Sequence, residues 1–124
     1  MLFKQVGDKV NWIDKNDVFV GYDTSVSCCE SAGWFVADVM VKTDAEFNAI
    51  EESPMFQLEV DFTQYTFDPS VAEVVVDVLD DGGIAIFRMV TDDGYESFLH
   101  LYNAHNGYYG HGFYSNTIVG NGGL

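Results

Sequence analysis

Residues 74–102 read VVVDVLDDGGIAIFRMVTDDGYESFLHLY, a stretch that predicts three consecutive strands. Its apolar runs at 74–79, 84–91 and 95–102 have strand length. Between them lie DDGG and DDG, clusters of residues that tolerate the positive φ angles of tight turns. Because short turns join neighbouring antiparallel strands, we expect this stretch to form a β-meander.

Upstream of the meander, three more runs have the composition of strands. Residues 9–13 and 18–22 are rich in β-branched or aromatic side chains, and the polar cluster DKND between them is typical of a hairpin loop. Residues 34–41, WFVADVMV, form an apolar run long enough for a buried strand. These runs predict a hairpin followed by a third strand.

One helix is expected, at residues 43–53. Thr43 and Glu46 have the spacing of a capping box, in which the Thr hydroxyl accepts a hydrogen bond from the backbone N–H three residues on. Phe47 and Ile50 then provide one apolar edge, and Pro54 ends the helix.

The segments on either side of the meander complete the predicted fold. Residues 55–67, MFQLEVDFTQYTF, alternate apolar and polar side chains, which predicts a strand with one solvated face. Asp68-Pro69-Ser70 predicts a turn, or the cap of a short helical turn. A last strand is expected near 112–119, followed by a frayed tail at 120–124. The whole chain, 1–124, therefore predicts a single α+β domain of mostly antiparallel sheet, built as a meander, a sandwich or a partly closed barrel.

The composition is that of a folded domain in a reducing compartment. With 124 residues, 48% of them hydrophobic and 15% aromatic, the chain can bury a core without disulfides or metals. The N-terminus lacks the apolar segment of a signal peptide, and no run approaches a membrane span. Cys28 and Cys29 are adjacent, so their side chains point apart in an extended chain, and we expect two free thiols and a cytoplasmic location.

Charge is the strongest functional signal. Twenty acidic and five basic residues give a net charge of −15, and residues 43–96 hold fourteen of the acids with Arg88 as their single cation. A surface of this kind repels nucleic acid and membranes and attracts basic protein grooves. The same charge could serve solubility alone, an interpretation that the sequence leaves open.

The last 28 residues, 97–124, differ from the acidic chain before them because they contain no Asp, Glu, Lys or Arg. They hold six aromatic residues and all three histidines. Asn106-Gly107 is a type I′ hairpin signal within this tail. Tyr108 and Tyr109 beside it predict either cross-strand pairs of that hairpin or anchors of a contact surface or ligand pocket.

Cysteine and histidine side chains suggest a second kind of site. Cys28, Cys29, His105 and His111 are possible metal ligands, and they could also line a small-molecule pocket or supply a Cys-His pair for catalysis. The adjacent cysteines lack the C-x₂₋₄-C spacing of structural zinc and any known catalytic signature. We therefore expect no cofactor and no enzymatic activity, and this site stays an alternative.

Two short blocks resemble a known family. Cys28-Cys29-Glu30 and Asn106-Gly107-Tyr108-Tyr109 are similar to the CCE and S-N-G-Y-Y-S blocks of small bacteriophage proteins of unknown function. That resemblance implies a phage origin and the cytosol of a bacterial host, and it supplies no activity. By charge and size the chain is also similar to phage anti-CRISPR and other anti-defence proteins, which implies an inhibitor of a host nuclease.

These observations predict an acidic, phage-type inhibitor that binds the nucleic-acid-binding groove of a host defence nuclease, such as a CRISPR-Cas effector. Its carboxylates would take the place of DNA phosphates in that groove. We expect the protein to be a monomer or a homodimer and to contact neither nucleic acid nor membrane directly. One alternative is the ligand- or metal-binding module or small enzyme described above, and another is a phage structural or assembly protein. The residues predicted to contact the partner are Glu51, Glu52, Asp80, Asp81, Asp92, Asp93, Tyr108 and Tyr109.

Overall fold

The computed structural model describes residues 1–25, 31–51, 60–105 and 110–124. In chain order the elements are β1 (Leu2–Val6), β2 (Lys9–Ile13), β3 (Phe19–Asp23), β4 (Ser31–Ala37), α1 (Asp44–Glu51), a 3₁₀ turn (Phe62–Gln64), β5 (Tyr65–Val78), β6 (Gly82–Thr91), β7 (Glu96–Ala104), β8 (Gly112–Ser115) and β9 (Gly122–Gly123). Five strands pair in the order β1-β2-β3-β8-β9 as sheet A, and four pair in the order β4-β7-β6-β5 as sheet B. The fold is thus α+β and mostly antiparallel, as predicted.

The predicted meander is confirmed and forms three of the four strands of sheet B. β6 pairs antiparallel with β5 on one side and with β7 on the other. The turn before β6 places Leu79 and Asp80 at φ angles of 56° and 66°, and Gly94 in the next turn has φ 87°. Gly82 begins β6 so close to β7 that a Cβ there would lie 1.7 Å from the Asn103 carbonyl oxygen. This position admits no side chain.

The main core lies between the two sheets. Side chains alternate along a strand, so every second residue of β6 and β7 faces sheet A. The buried side chains of this core include Val10, Trp12, Val20, Tyr22, Phe62, Phe67, Phe87, Met89, Leu99, Leu101, Phe113 and Leu124. Because these side chains come from both sheets, the arrangement is a sandwich of two sheets that do not join into a barrel within the described residues.

The second core lies on the other face of sheet B, under α1. Phe47 of the helix packs there against Phe35 and Tyr102, with ring centroids 6.0 and 5.0 Å apart. The predicted helix start is confirmed, since the Glu46 N–H donates to Thr43 Oγ1 at 3.1 Å and the Thr43 hydroxyl donates to Glu46 Oε1 at 2.9 Å. Sheet B is therefore covered on both faces, which explains why β6 and β7 are buried almost throughout.

Strand boundaries near the N-terminus differ from the prediction. β1 was not expected, although it pairs with the whole of β2. The strand expected at 34–41 is instead Ser31–Ala37. Val41 lies outside it because its backbone N–H donates to the His100 side chain at 2.9 Å, a tertiary contact that no local pattern reveals.

The strand predicted at 55–67 is wrong at residues 60–64 and correct at residues 65–67, which begin β5. Residues 52–59 lie outside the described residues, and Phe62–Gln64 forms a 3₁₀ turn. Asp61 caps this turn by accepting from the Thr63 N–H at 3.1 Å. The Met1 amino group donates to the Phe62 and Tyr65 carbonyls at 2.7 and 3.0 Å. Such local and long-range partners give the backbone an alternative to strand pairing.

Asp68-Pro69-Ser70 is not a turn between elements, because β5 runs through it. The pairing of β5 with β6 shifts register between Phe67 and Ala72, which makes the segment a bulge. Proline lacks an N–H and is tolerated at a bulge. Asp68 Oδ1 accepts from the Ser70 N–H at 3.1 Å, and the Pro69 carbonyl accepts from Ile118 N–H at 2.8 Å. The bulge therefore fastens sheet B to a loop of sheet A.

The predicted frayed tail is also wrong. The last expected strand is shorter, Gly112–Ser115, and Gly122–Gly123 pairs beside it. Leu124 is only 6% exposed, and its N–H and carbonyl both bond to the backbone of His111, at 2.8 and 3.0 Å. Burial of one leucine and these hydrogen bonds offset the fraying that a glycine-rich end favours.

No helix in the described parts of the chain has the length and apolar character needed to cross a membrane.

Candidate functional site

The carboxylates predicted as one contact set lie at two opposite ends of sheet B. Asp80 and Asp81 are in the turn before β6, and Asp92 and Asp93 are in the turn after it. Since β6 has ten residues and a strand rises about 3.3 Å per residue, these ends are about 30 Å apart. Glu51 belongs to the first end, and Glu52 lies outside the described residues.

The first acidic end surrounds a groove of about 300 Å³ between α1 and the β5–β6 turn. Asp44, Glu51 and Asp80 all line it. Asp44 also accepts from the Leu79 N–H at 2.6 Å, which fixes the helix to the turn. The two elements thus bring together carboxylates that are far apart in sequence.

The second acidic end is a depression that Asp61, Asp92 and Asp93 line together. Hydrogen bonds, first from the Thr91 hydroxyl, lower the pKa of Asp93 below its usual value, so this carboxyl stays ionised at neutral pH. Lys15 approaches Asp92 at 3.7 Å, but both side chains are largely exposed, so the pair contributes little. This end therefore keeps most of its negative charge.

Charge is distributed unequally between the two sides of the sandwich. The described part of residues 38–96 carries thirteen carboxylates and only two cations, and both cations are already paired. Lys42 contacts Glu73 at 2.7 Å, and Arg88 contacts Asp68 at 2.8 Å and also bonds to Glu96. The three remaining lysines are on strands β1 and β2 of sheet A or in the loop that follows β2. The side formed by sheet B and α1 is thus the strongly negative one.

His100, in the middle of β7, has a structural role. It is fully buried, its ring stacks on Phe35 with centroids 4.4 Å apart, and its Nε2 accepts from the Val41 N–H at 2.9 Å. Its Nδ1–H donates to the Phe98 carbonyl at 3.1 Å. Burial lowers the pKa of His100 to about 4, so the ring is neutral and both nitrogens are occupied.

The alternative site of cysteines and histidines is described only in part. Cys28, Cys29, Tyr108 and Tyr109 lie outside the described residues. His105 and His111 are both buried, and His111 Nδ1 bonds to the Asp23 carbonyl at 2.7 Å. In the described ranges, no group of three or more His, Cys, Asp or Glu side chains is placed to hold a metal.

A cluster of four aromatic rings was not predicted as a site. Phe3, Trp12, Trp34 and Phe62 come from β1, β2, β4 and the 3₁₀ turn, and all six centroid distances among them lie between 5.2 and 6.0 Å. Trp12 is fully buried, and its Nε1–H has no acceptor among the residues that the structure describes. The cluster closes the sandwich where β1 and β2 lie over β4.

An open cavity of about 670 Å³ lies against this cluster. Its described lining residues are Phe3, Gln5, Val10, Thr24, Ala32, Gly33, Trp34, Val60, Asp61 and Phe62. Asp61 is the one ionisable side chain among them. Pockets of this size with an apolar lining and a few polar groups are typical of small-molecule sites. The sequence signal was weak because the four aromatic residues come from four separate segments of the chain.

Comparison with protein-family models, with curated proteins and with solved structures finds no match to this chain.

Proposed function

We propose that the protein binds a basic, nucleic-acid-binding surface of another protein and blocks it, as an acidic inhibitor of a host defence nuclease would. The unequal charge of the two sides of the sandwich supports this proposal most directly. Because the two cations of the acidic side are already paired with carboxylates, its remaining carboxylates are available to a basic partner. The strands of sheet A, which carry Lys4 and Lys9, form the opposite side of the sandwich.

The spacing of the two acidic ends supports the same proposal. One turn of B-DNA is about 34 Å long, so a protein groove that follows a duplex contacts phosphates at that spacing. The ends of β6 are about 30 Å apart, at ten residues and about 3.3 Å per residue. Carboxylates at both ends can therefore replace phosphates at two positions in one groove, and release of counterions makes the binding sensitive to salt.

A pull-down with competitive elution tests the proposal. The protein is immobilised, exposed to nuclease-treated bacterial lysate at 50 mM NaCl, and eluted with a 30-base-pair DNA duplex. We expect the duplex to release bound nucleic-acid-binding proteins, and the captured amount to fall steeply at 300 mM NaCl. A purified, guide-loaded CRISPR effector then serves as a defined partner, with displacement of a labelled duplex as the readout.

Matched charge variants make this test specific. Asp80→Asn with Asp81→Asn, and Asp92→Asn with Asp93→Asn, each remove two charges from one acidic end. Asp8→Asn with Asp17→Asn removes two charges from loops of sheet A, and Asn suits the positive φ of Asp17 as it does that of Asp80. Each end variant should weaken capture about tenfold or more, and the sheet A variant should not. The proposal would be overturned if the two end variants and the sheet A variant captured equal amounts of protein, or if the DNA duplex failed to release the captured proteins.

A further inference from the structure

We propose that the aromatic cavity beside Trp34 is a binding site for an organic cation with an apolar body, of the quaternary ammonium class. This inference goes beyond the proposed function, because the cavity lies between the edges of the two sheets and its lining includes none of the four turn aspartates at the ends of β6. Either proposal can fail without the other.

The rings at the floor of the cavity suit a cation. The centroids of Phe3, Trp34 and Phe62 form a triangle with sides of 5.4, 5.4 and 5.7 Å. A positive group centred over this triangle lies within the cation–π range of about 6 Å of all three rings. Methyl groups on the cation would at the same time bury apolar surface against the rings.

The polar atoms at the rim favour positive rather than negative ligands. Thr24, which lines the cavity, donates its hydroxyl proton to the Asp8 carbonyl at 2.7 Å, so its oxygen can act only as an acceptor toward a ligand. The Gln5 amide nitrogen donates to the Gly7 carbonyl at 3.2 Å. No Lys, Arg or His occurs among the described lining residues. The rim thus presents mainly acceptor oxygens.

Asp61 supplies the negative charge that would attract a cationic ligand. Hydrogen bonds, first from the Thr63 hydroxyl, lower its pKa, so it is ionised at neutral pH. The Met1 amino group, whose positive charge also acts on Asp61, donates to the carbonyls of Phe62 and Tyr65. The net charge of −15 also raises the local concentration of cations.

The two tryptophans of the chain allow a direct test. Trp12 and Trp34 both belong to the aromatic cluster, so intrinsic fluorescence reports on this site. Choline and 3,3-dimethylbutan-1-ol have the same shape and differ by one charge, and benzyltrimethylammonium adds a ring to the cation. We expect saturable fluorescence changes with both cations and about tenfold weaker binding of the neutral alcohol. Absence of saturation with both cations would overturn the site, and equal binding of choline and the alcohol would overturn the ligand class.

Variants locate the site and leave both reporters in place. Asp61→Asn keeps a cap for the 3₁₀ turn and should weaken choline binding severalfold without changing that of the alcohol. Phe62→Leu should weaken both ligands, provided that its thermal melt shows a folded protein. Asp77→Asn makes the same carboxylate-to-amide change at an exposed position, and Tyr114→Leu removes an exposed aromatic ring. Both positions lie outside the cavity, so both variants should leave binding unchanged. Loss of choline affinity in these two controls, or none in Asp61→Asn, would contradict the proposal.

Discussion

His100 shows how one buried residue can make the stability of the whole domain depend on pH. Its ring is enclosed by Phe35 and the backbone of Val41, and desolvation by burial is the main cause of its low pKa. The charge of Glu46 acts in the opposite direction but does not compensate. At a pH where the unfolded chain binds a proton on His100 and the folded protein does not, that proton favours unfolding.

Stability should therefore fall as the pH drops from 6.5 toward 4. Burial lowers the pKa of His100 from 6.5 to about 4, so its contribution is complete above pH 6.5 and is lost as the pH falls through that window. At about 1.4 kcal/mol per pH unit, the loss is on the order of 3 kcal/mol. Urea unfolding at pH 7, 6, 5 and 4, followed by tryptophan fluorescence, measures this loss. In His100→Gln this loss should disappear. If the free energy of unfolding of the variant fell with pH as steeply as that of the parent chain, the assignment to His100 would be refuted.

Asp14 is the other residue whose side chain holds distant parts together. It is buried after β2, where Oδ1 accepts from the Asn16 and Val18 N–H groups, both at 2.9 Å. Its Oδ2 accepts from the Phe67 N–H at 2.8 Å, beside the bulge of β5. One carboxylate thus satisfies a loop of sheet A and a strand of sheet B.

Replacing Asp14 with Ala should cost about 2–4 kcal/mol, because the buried N–H of Phe67 and the part-buried N–H groups of Asn16 and Val18 lose their acceptor. Asp14→Asn retains one acceptor oxygen, so its free energy of unfolding should lie between those of the parent chain and Asp14→Ala. Asp8→Ala, an exposed control, should stay within about 0.5 kcal/mol of the parent. Chemical denaturation gives the free energies of unfolding. A loss in Asp14→Ala no larger than that in Asp8→Ala would show that the link is unimportant.

At the scale of elements, the short strand β9 has a larger role than its two residues suggest. The Leu124 side chain packs into the core between the sheets, and the Asn103 amide of β7 donates to its carbonyl at 3.0 Å. Leu124→Ala should cost about 2–3 kcal/mol, since it removes a buried side chain. Ile118→Ala, at a position that is 69% exposed, is the matched control and should cost less than about 0.5 kcal/mol. Similar melting temperatures for the two variants would mean that the C-terminal residues are not part of the core.

The elements that the sequence predicts well are those that local chemistry decides. The meander follows from apolar runs separated by DDGG and DDG, and α1 follows from the capping pair of Thr43 and Glu46. The elements that it misses depend on contacts from elsewhere. β1 needs the whole of β2, and β9 needs the backbone of His111 and the side chain of Asn103.

The candidate sites follow the same division. Charge is additive along a chain, so the acidity of residues 43–96 can be counted directly from the amino-acid sequence. The positions of those charges in space cannot be predicted in the same way. The turns at Asp80 and Asp92 are twelve residues apart in sequence, yet they lie at opposite ends of one strand. The aromatic cavity could not be predicted at all, since the packing of the two sheets alone brings Phe3, Trp34 and Phe62 together.

At the scale of the whole molecule, the two faces of the sandwich differ in kind. Sheet A exposes a row of apolar side chains, Leu2, Ile13 and Phe19, which are direct cross-strand partners. The opposite side exposes most of the carboxylates. Like charges concentrated on one side of a folded domain destabilise the folded state, because they repel one another.

Salt should therefore stabilise this protein. The screening length falls from about 30 Å at 10 mM salt to about 8 Å at 150 mM, so only at low salt do the two ends of sheet B, about 30 Å apart, repel each other. We expect the melting temperature to rise by several degrees over this range, equivalent to about 1 kcal/mol. If instead the four ion pairs of the described residues dominated, salt would lower the melting temperature, although ion pairs at a protein surface contribute only about 0–1 kcal/mol each. The variant with Asn at positions 80, 81, 92 and 93 should show a smaller rise, because it lacks the charges whose repulsion salt relieves.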